Sequence, residues 1–321
     1  MLFTTGSFLM EDFPSVLGGI SADQFLSEYW QKKPLLIRNA LPNFESPLSR
    51  DELAGLSLDE DIESRLVFEQ GQSKPWSLEF GPFDQSTFRN LPEKHWTLLV
   101  QAVNLWVPEV KKLADQFYFL PPWRLDDIMV SYAPRGGSVG PHFDYYDVFL
   151  LQGLGQRKWQ LGQICDSTTP VLPDTALRIL SDFEVTQEWL LGPGDILYVP
   201  PKLAHWGTAC NDCLTYSIGF RSPSLTDMLG DLTNMLMTQN HSSHYKDPPL
   251  TMAMAKTTID PMFIQQAKLM LNNLIENDEL LNEWFARYMT LPKYPDLSEA
   301  LGERRIAQIG KTHYINGERK I

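Results

Sequence analysis

The chain has 321 residues, more than one hydrophobic core usually spans, so a main domain with smaller attached units is expected. Hydrophobic residues make up 43% and charged residues 21%, which excludes a disordered chain. The formal net charge of −13 argues against a general electrostatic grip on nucleic acid and suits either plain solubility or a basic partner.

Three cysteines, Cys165, Cys210 and Cys213, are too few for a disulfide framework and odd in number, so a reducing compartment, the cytoplasm, is expected. The Cys210/Cys213 spacing has no second pair and is not read as a zinc site. No apolar run approaches a membrane span, and the N-terminus lacks a secretory pattern, so neither insertion nor secretion is expected.

In chain order, Ala22 to Gln31 reads as a helix and Pro34 to Arg38 as a strand. Asp51 to Leu58 reads as a short capped helix, and Ser64 to Glu69 and Pro75 to Phe80 as strands bounded by Gly and Pro. From His95 to Phe117 the apolar residues Trp96, Leu99, Val100, Val103, Trp106, Val110 and Leu113 recur at helical spacing, so packing helices are predicted there.

After Pro122 the pattern changes to short strands: Asp126 to Ala133, Gly140 to Gln152, Arg157 to Gly162, Trp189 to Leu191, Ile196 to Val199 and Leu214 to Arg221. That is barrel or sandwich texture. Helical periodicity returns from the N-cap Ser224 through Met237, and from the Asp260-Pro261 pair to about Met289. The tail carries two short strands around Gly310 and then the turn Asn316-Gly317, with few residues after it, so a terminal module cut short is expected.

The chemistry is concentrated in Gly140-Pro141-His142-Phe143-Asp144-Tyr145-Tyr146, followed about sixty residues later by Gly194 to Pro201 and His205. On a strand, residues two apart share a face, so His142 and Asp144 can reach one ion. His205, from a distant strand, completes two imidazoles and one carboxylate, a set that leaves positions open on an octahedral metal. An isolated His-x-Asp is weak; a carboxylate on the inward face of an apolar strand is stronger, because it demands a cation or several donors. His95, His241, His244 and His313 lack such context and read as structural or surface residues.

Arg157 shares a strand face with Trp159 and offers the planar fork that suits a dicarboxylate. Ser131, on the strand leading into the metal motif, and Ser217, on the last predicted strand, can add hydroxyl contacts or simply pack in the barrel. By strand alternation Tyr146 shares the ligands' face and is the candidate for facing a substrate, whereas Asp147 points away.

These motifs, with Tyr29-Trp30-Gln31-Lys32-Lys33-Pro34, Asp51 to Leu56, Trp96 to Asn104, Trp123 to Asp127, and Tyr216-Ser217-Ile218-Gly219-Phe220-Arg221, cover most of the chain. They resemble the bacterial JmjC-type ribosomal oxygenases of the cupin superfamily, which hydroxylate an arginine of large-subunit ribosomal protein sixteen. The resemblance implies a mixed α and β fold, a double-stranded β-helix or jelly roll, with flanking N-terminal helices. It implies Fe(II) on His142, Asp144 and His205, with 2-oxoglutarate on Arg157 and Ser131, and dioxygen as the second cosubstrate.

It also implies hydroxylation at the arginine β-carbon with release of succinate and carbon dioxide, a homodimer formed through the helices after the barrel, and a C-terminal winged-helix module. The expected division is 1–222 catalytic, 223–291 helical dimerisation region, and 292–321 a short or truncated winged-helix-like module. Two alternatives stand beside this reading: a related oxygenase with another target, such as a histidine hydroxylase or a demethylase, and a metal-binding cupin that oxidises nothing.

Overall fold

The computed structural model describes residues 15–70, 74–239, 243–254 and 257–320; His241 and the N-terminal fourteen residues lie outside them. The chain divides into two compact units, Met1–Ser222 and Pro223–Ile321.

Unit 1 begins with α1 (Ala22–Glu28), started by Ser21, whose side chain accepts from Gln24 N. After β1 (Leu35–Ile37) comes α2 (Arg50–Leu56), which opens on a reciprocal capping box between Ser49 and Glu52. There follow β2 (Ser64–Gln70), β3 (Lys74–Phe80), α3 (Gln85–Arg89), β4 (Trp96–Val100), α4 (Val103–Trp106) and α5 (Pro108–Ala114). The rest is β5 (Leu125–Ala133), β6 (Asp147–Leu154), β7 (Arg157–Ile164), β8 (Gln187–Leu191), β9 (Ile196–Val199), β10 (Leu203–Ala209) and β11 (Cys213–Phe220).

Eight strands form one sheet in the order β1-β9-β6-β11-β5-β4-β2-β3, and β10-β7-β8 form a second. Every pairing is antiparallel. Strand alternation gives the large sheet two different faces. On one, Ile128, Val130, Tyr132, Phe149, Leu151, Tyr198, Tyr216 and Phe220 pack with Phe25 and Phe117 of the preceding segments. On the other, Val148, Leu150, Leu197 and Val199 meet Trp159, Leu161, Leu191 and Leu203 of the small sheet. The space between the two sheets is the lumen of the double-stranded β-helix, and its polar side chains are what the site is made from.

In unit 1 the structure revises two expectations. Trp96–Val100 is a strand, not part of a helix; all five residues are buried, and a strand buried on both faces shows no alternation to distinguish it from a helix. The ligand segment does not continue β6, which starts only at Asp147; residues 140–146 are an irregular run tied down by a single bridge between His142 and His205. The distant strand expected to carry His205 is β10, whose bounds no β-branched run marks in Leu203-Ala-His-Trp-Gly-Thr-Ala.

Unit 2 contains α6 (Leu225–Thr238), α7 (Pro261–Ile275), α8 (Asp278–Thr290), α9 (Pro295–Ala300), and the antiparallel strands β12 (Ile306–Ile309), β13 (Thr312–Ile315) and β14 (Glu318–Lys320). Ser224 forms a capping box with Asp227, and the Asp260 side chain accepts from Met262 N, so both helix starts lie where the residues place them. The expected single helical run to Met289 is two helices, interrupted at Asn277, whose side chain caps α8. Trp284 is buried, with its indole N–H donating to Asp231 at 2.8 Å. In the tail, β13 pairs on both sides, and Asn316 bonds Arg305 N and Glu303 O.

Candidate active site

Gly140 begins the ligand segment with φ +80°, a conformation open to glycine; a Cβ there would lie 2.6 Å from Ile179 Cδ1. The backbone amides then lock the segment in place. His142 N donates to His205 O at 3.1 Å and His205 N returns a bond to His142 O at 2.8 Å. Lys202 N donates to Asp144 O at 2.6 Å, and Leu180 N to Pro141 O at 2.8 Å. Ser138, which no sequence signal marked, is buried just before this run; its hydroxyl accepts from Gly140 N at 3.0 Å and from Trp206 Nε1 at 2.8 Å.

These bonds bring His142, Asp144 and His205 together, with one ligand atom from each within 4.8 Å of the others. Nε2 of His205 lies 3.6 Å and Nε2 of His142 4.0 Å from Asp144 Oδ2. Nδ1 of His142 faces Gly140 O at 2.9 Å and Nδ1 of His205 faces Leu203 O at 3.0 Å. A carbonyl only accepts, so each Nδ1 carries the proton and each Nε2 presents its lone pair. Burial, together with neighbouring His142, lowers the His205 pKa to about 4, against the pull of Asp144, so the ring is neutral at pH 7. Two lone pairs and a carboxylate oxygen converging on one point repel each other unless a cation lies between them, and nitrogen and oxygen donors of this kind suit a divalent first-row metal.

Arg157 is only 3% exposed, on the lumen side of β7, and its Nε and Nη2 have no hydrogen-bond partner among the described residues. A buried guanidinium without a carboxylate calls for an anionic ligand. Ser131 is buried in β5, its hydroxyl 3.5 Å from Thr215 O. Ser217 is half-buried on the lumen face of β11, paired in register with Leu150 and Met129. Sequence reasoning overlooked a further buried polar pair on this face, in which Thr215 Oγ1 donates to Gln152 Oε1 at 3.2 Å.

Tyr146 is 41% exposed, yet burial of its hydroxyl end, with Asp144 and Asp127 close by, holds the phenol pKa well above its ordinary value. It therefore lies beside the metal triad and also reaches solvent. Asp147 does turn away: it is wholly buried on the other side, accepting from Tyr198 Oη at 2.6 Å and Gln31 Nε2 at 3.1 Å, with Arg124 at 3.8 Å.

Comparison with known proteins agrees with this geometry. The JmjC domain family matches residues 112–228. A probable ribosomal oxygenase of Haemophilus influenzae is 45% identical over 215 residues, 67% of this chain and 53% of that protein, so the match spans about half the relative's length. The ribosomal protein uL16 3-hydroxylase of Escherichia coli is 34% identical over 318 residues, covering 92% of this chain and 84% of that protein. The solved structure of the E. coli ribosomal oxygenase YcfD in complex with cobalt and 2-oxoglutarate superposes with a TM-score of 0.81 at 32% identity, covering 94% of this chain and 85% of that one. With its lumen triad and its match along nearly the whole length of the E. coli enzyme, this chain belongs to the JmjC-domain ribosomal oxygenases.

Proposed function

We propose that the chain is an Fe(II)- and 2-oxoglutarate-dependent protein hydroxylase whose target is carbon 3, the β-carbon, of an arginine in ribosomal protein uL16. The observation that carries this is the convergence of His142, Asp144 and His205 in the same lumen as a buried guanidinium whose Nε and Nη2 have no partner among the described residues. The name of the E. coli relative and the ligands of its structure support the substrate and cosubstrate. When bound, iron supplies dioxygen activation coupled to oxidative decarboxylation of 2-oxoglutarate to succinate and carbon dioxide.

The chain's own residues do the rest. Arg157 fixes the distal carboxylate by a charge-assisted fork, with Ser131 and Ser217 as hydroxyl partners on the facing strands. Val148, Leu150, Leu197 and Val199 wall the lumen with apolar surface and limit water. Tyr146, half in solvent beside the triad, faces the incoming side chain. The acidic charge of the chain suits a basic ribosomal protein.

A homodimer through α6, α7 and α8 and a cytoplasmic location belong to the same proposal. All three cysteines are free, and among the described residues no helix is long and apolar enough to cross a membrane. The test is mass spectrometry of ribosomal proteins from cells with and without the gene. One added oxygen on a uL16 arginine that vanishes in the knockout supports the reading. The same oxygen on a histidine, or a lost methyl group elsewhere, would reassign the target. No succinate formed from 2-oxoglutarate under reducing iron conditions would leave a binding module.

A further inference from the structure

Among the buried side-chain atoms without a hydrogen-bond partner, three belong to two residues of β7: Nε and Nη2 of Arg157, and Nε1 of Trp159. The proposed function accounts for the guanidinium and leaves the indole unused. An indole N–H can only donate, and burying one with no acceptor costs stability that packing has to offset.

The position of this indole is informative. Trp159 follows Arg157 by two residues and shares its lumen face; the guanidinium carbon is 5.6 Å from the indole centroid. The His205 ring lies 6.0 Å from the same centroid. Across the strand pair Trp159 is in register with Gly207, where an added Cβ would come within 2.7, 2.8 and 2.9 Å of three ring carbons. The indole thus lies over β10 in a space that glycine leaves open, close to both the metal-side imidazole and the guanidinium.

We propose that Trp159 Nε1–H is a direct donor to bound 2-oxoglutarate, one that helps set how the cosubstrate lies between the metal and Arg157. This rests on the cosubstrate reading above. Its acceptor is an oxygen of a dianion, so the bond is of the charge-assisted kind.

Trp159→Phe keeps an aromatic ring and removes the donor. Calorimetric titration of 2-oxoglutarate into Zn(II)-loaded protein, in which no turnover occurs, should give binding about tenfold to a hundredfold weaker in the variant, with zinc affinity unchanged. In 15N-labelled, Zn(II)-loaded wild-type protein, the indole signal missing from the variant should move downfield when 2-oxoglutarate is added. Gly207→Ala crowds the ring, so it should weaken 2-oxoglutarate binding in the same direction and disturb the same indole signal, which identifies that signal even if the Phe variant does not fold. Equal affinities together with an unmoved indole signal overturn the proposal and leave the cosubstrate reading intact. If the wild-type protein shows neither heat nor any shift, the cosubstrate reading fails and this proposal fails with it.

Discussion

In unit 1, Phe149 is fully buried, with ring centroids of Phe117 at 4.7 Å, Tyr198 at 4.8 Å, Phe25 at 5.6 Å and Phe220 at 5.8 Å. In unit 2, α7 has no buried residue at all, although Met262, Ile264, Leu269, Leu271 and Ile275 all stand on it and are exposed. The same residue types serve different ends. In the barrel unit they form an interior that holds ligand-bearing strands in register; on α7 they remain exposed, where the proposed homodimer would cover them. Rigidity matters for a metal site and a self-complementary surface matters for assembly, so the two regions should respond to substitution in different ways.

The largest effect is expected where rigidity serves chemistry. Alanine at His142, Asp144 or His205 should abolish succinate formation while circular dichroism stays close to wild type, because each change removes one of the three convergent donors. Full turnover in any of these variants would rule out the triad. Next comes packing. Phe149→Ala should cost about 3–5 kcal/mol in urea unfolding, as a ring deleted from a filled core leaves a cavity. A loss below about 1 kcal/mol would mean that the core around Phe149 is not close-packed.

Arg157→Lys should weaken 2-oxoglutarate dependence by about tenfold to a hundredfold, since an ammonium cannot reproduce the planar fork. An unchanged cosubstrate requirement would transfer the carboxylate role to another residue. On α7 the expectation reverses. Ile264→Glu combined with Leu271→Glu, one face two turns apart and exposed by 52% and 60%, should convert a dimer to a monomer in sedimentation equilibrium. Subunit stability should change by only about 0.5 kcal/mol per site. A wild-type chain that is monomeric at tens of micromolar, well above typical dimer constants, would reject the assembly. Phe285 is 38% exposed and can join that test; Trp284 cannot, because a charge in its buried place would unfold α8.

The smallest effect is a pH dependence. Burial raises the Asp147 pKa in spite of the bonds from Tyr198 and Gln31. A carboxyl with a raised folded pKa contributes its full stability below the unfolded value, 3.8, and loses it as pH rises through the folded value. Asp147→Asn removes that titration, so its stability relative to wild type should increase from pH 4 upward and then level off. A relative stability that falls over this range would mean that Arg124 outweighs burial.

The triad was legible because ligand chemistry can be read from residue identity: His142, Asp144 and His205 were found even though the local backbone was misjudged. A strand would set the first two on neighbouring pleats, whereas backbone bonds to His205, Lys202 and Leu180 hold them in an irregular run. Those partners come from distant parts of the chain, and nothing local predicts them. Arg157 and Trp159 were readable as face-mates because strand period is local. Ser138, and the pairing of Thr215 with Gln152, were not, since each is defined by a contact across the fold. Trp96–Val100 failed for the opposite reason: complete burial erases the pattern that distinguishes strand from helix.

The reciprocal amides between His142 and His205 have a consequence for metal supply. Main-chain bonds, and not the ion alone, fix the spacing of these two ligands. Order of this kind speeds capture and does little to sort one divalent ion from another, and the intrinsic preference of nitrogen donors runs toward copper and zinc over iron. The supply of metal therefore weighs beside ligand type and geometry in deciding which ion the protein carries. Trace zinc should act as an inhibitor that competes for the same three atoms and that excess Fe(II) displaces only slowly.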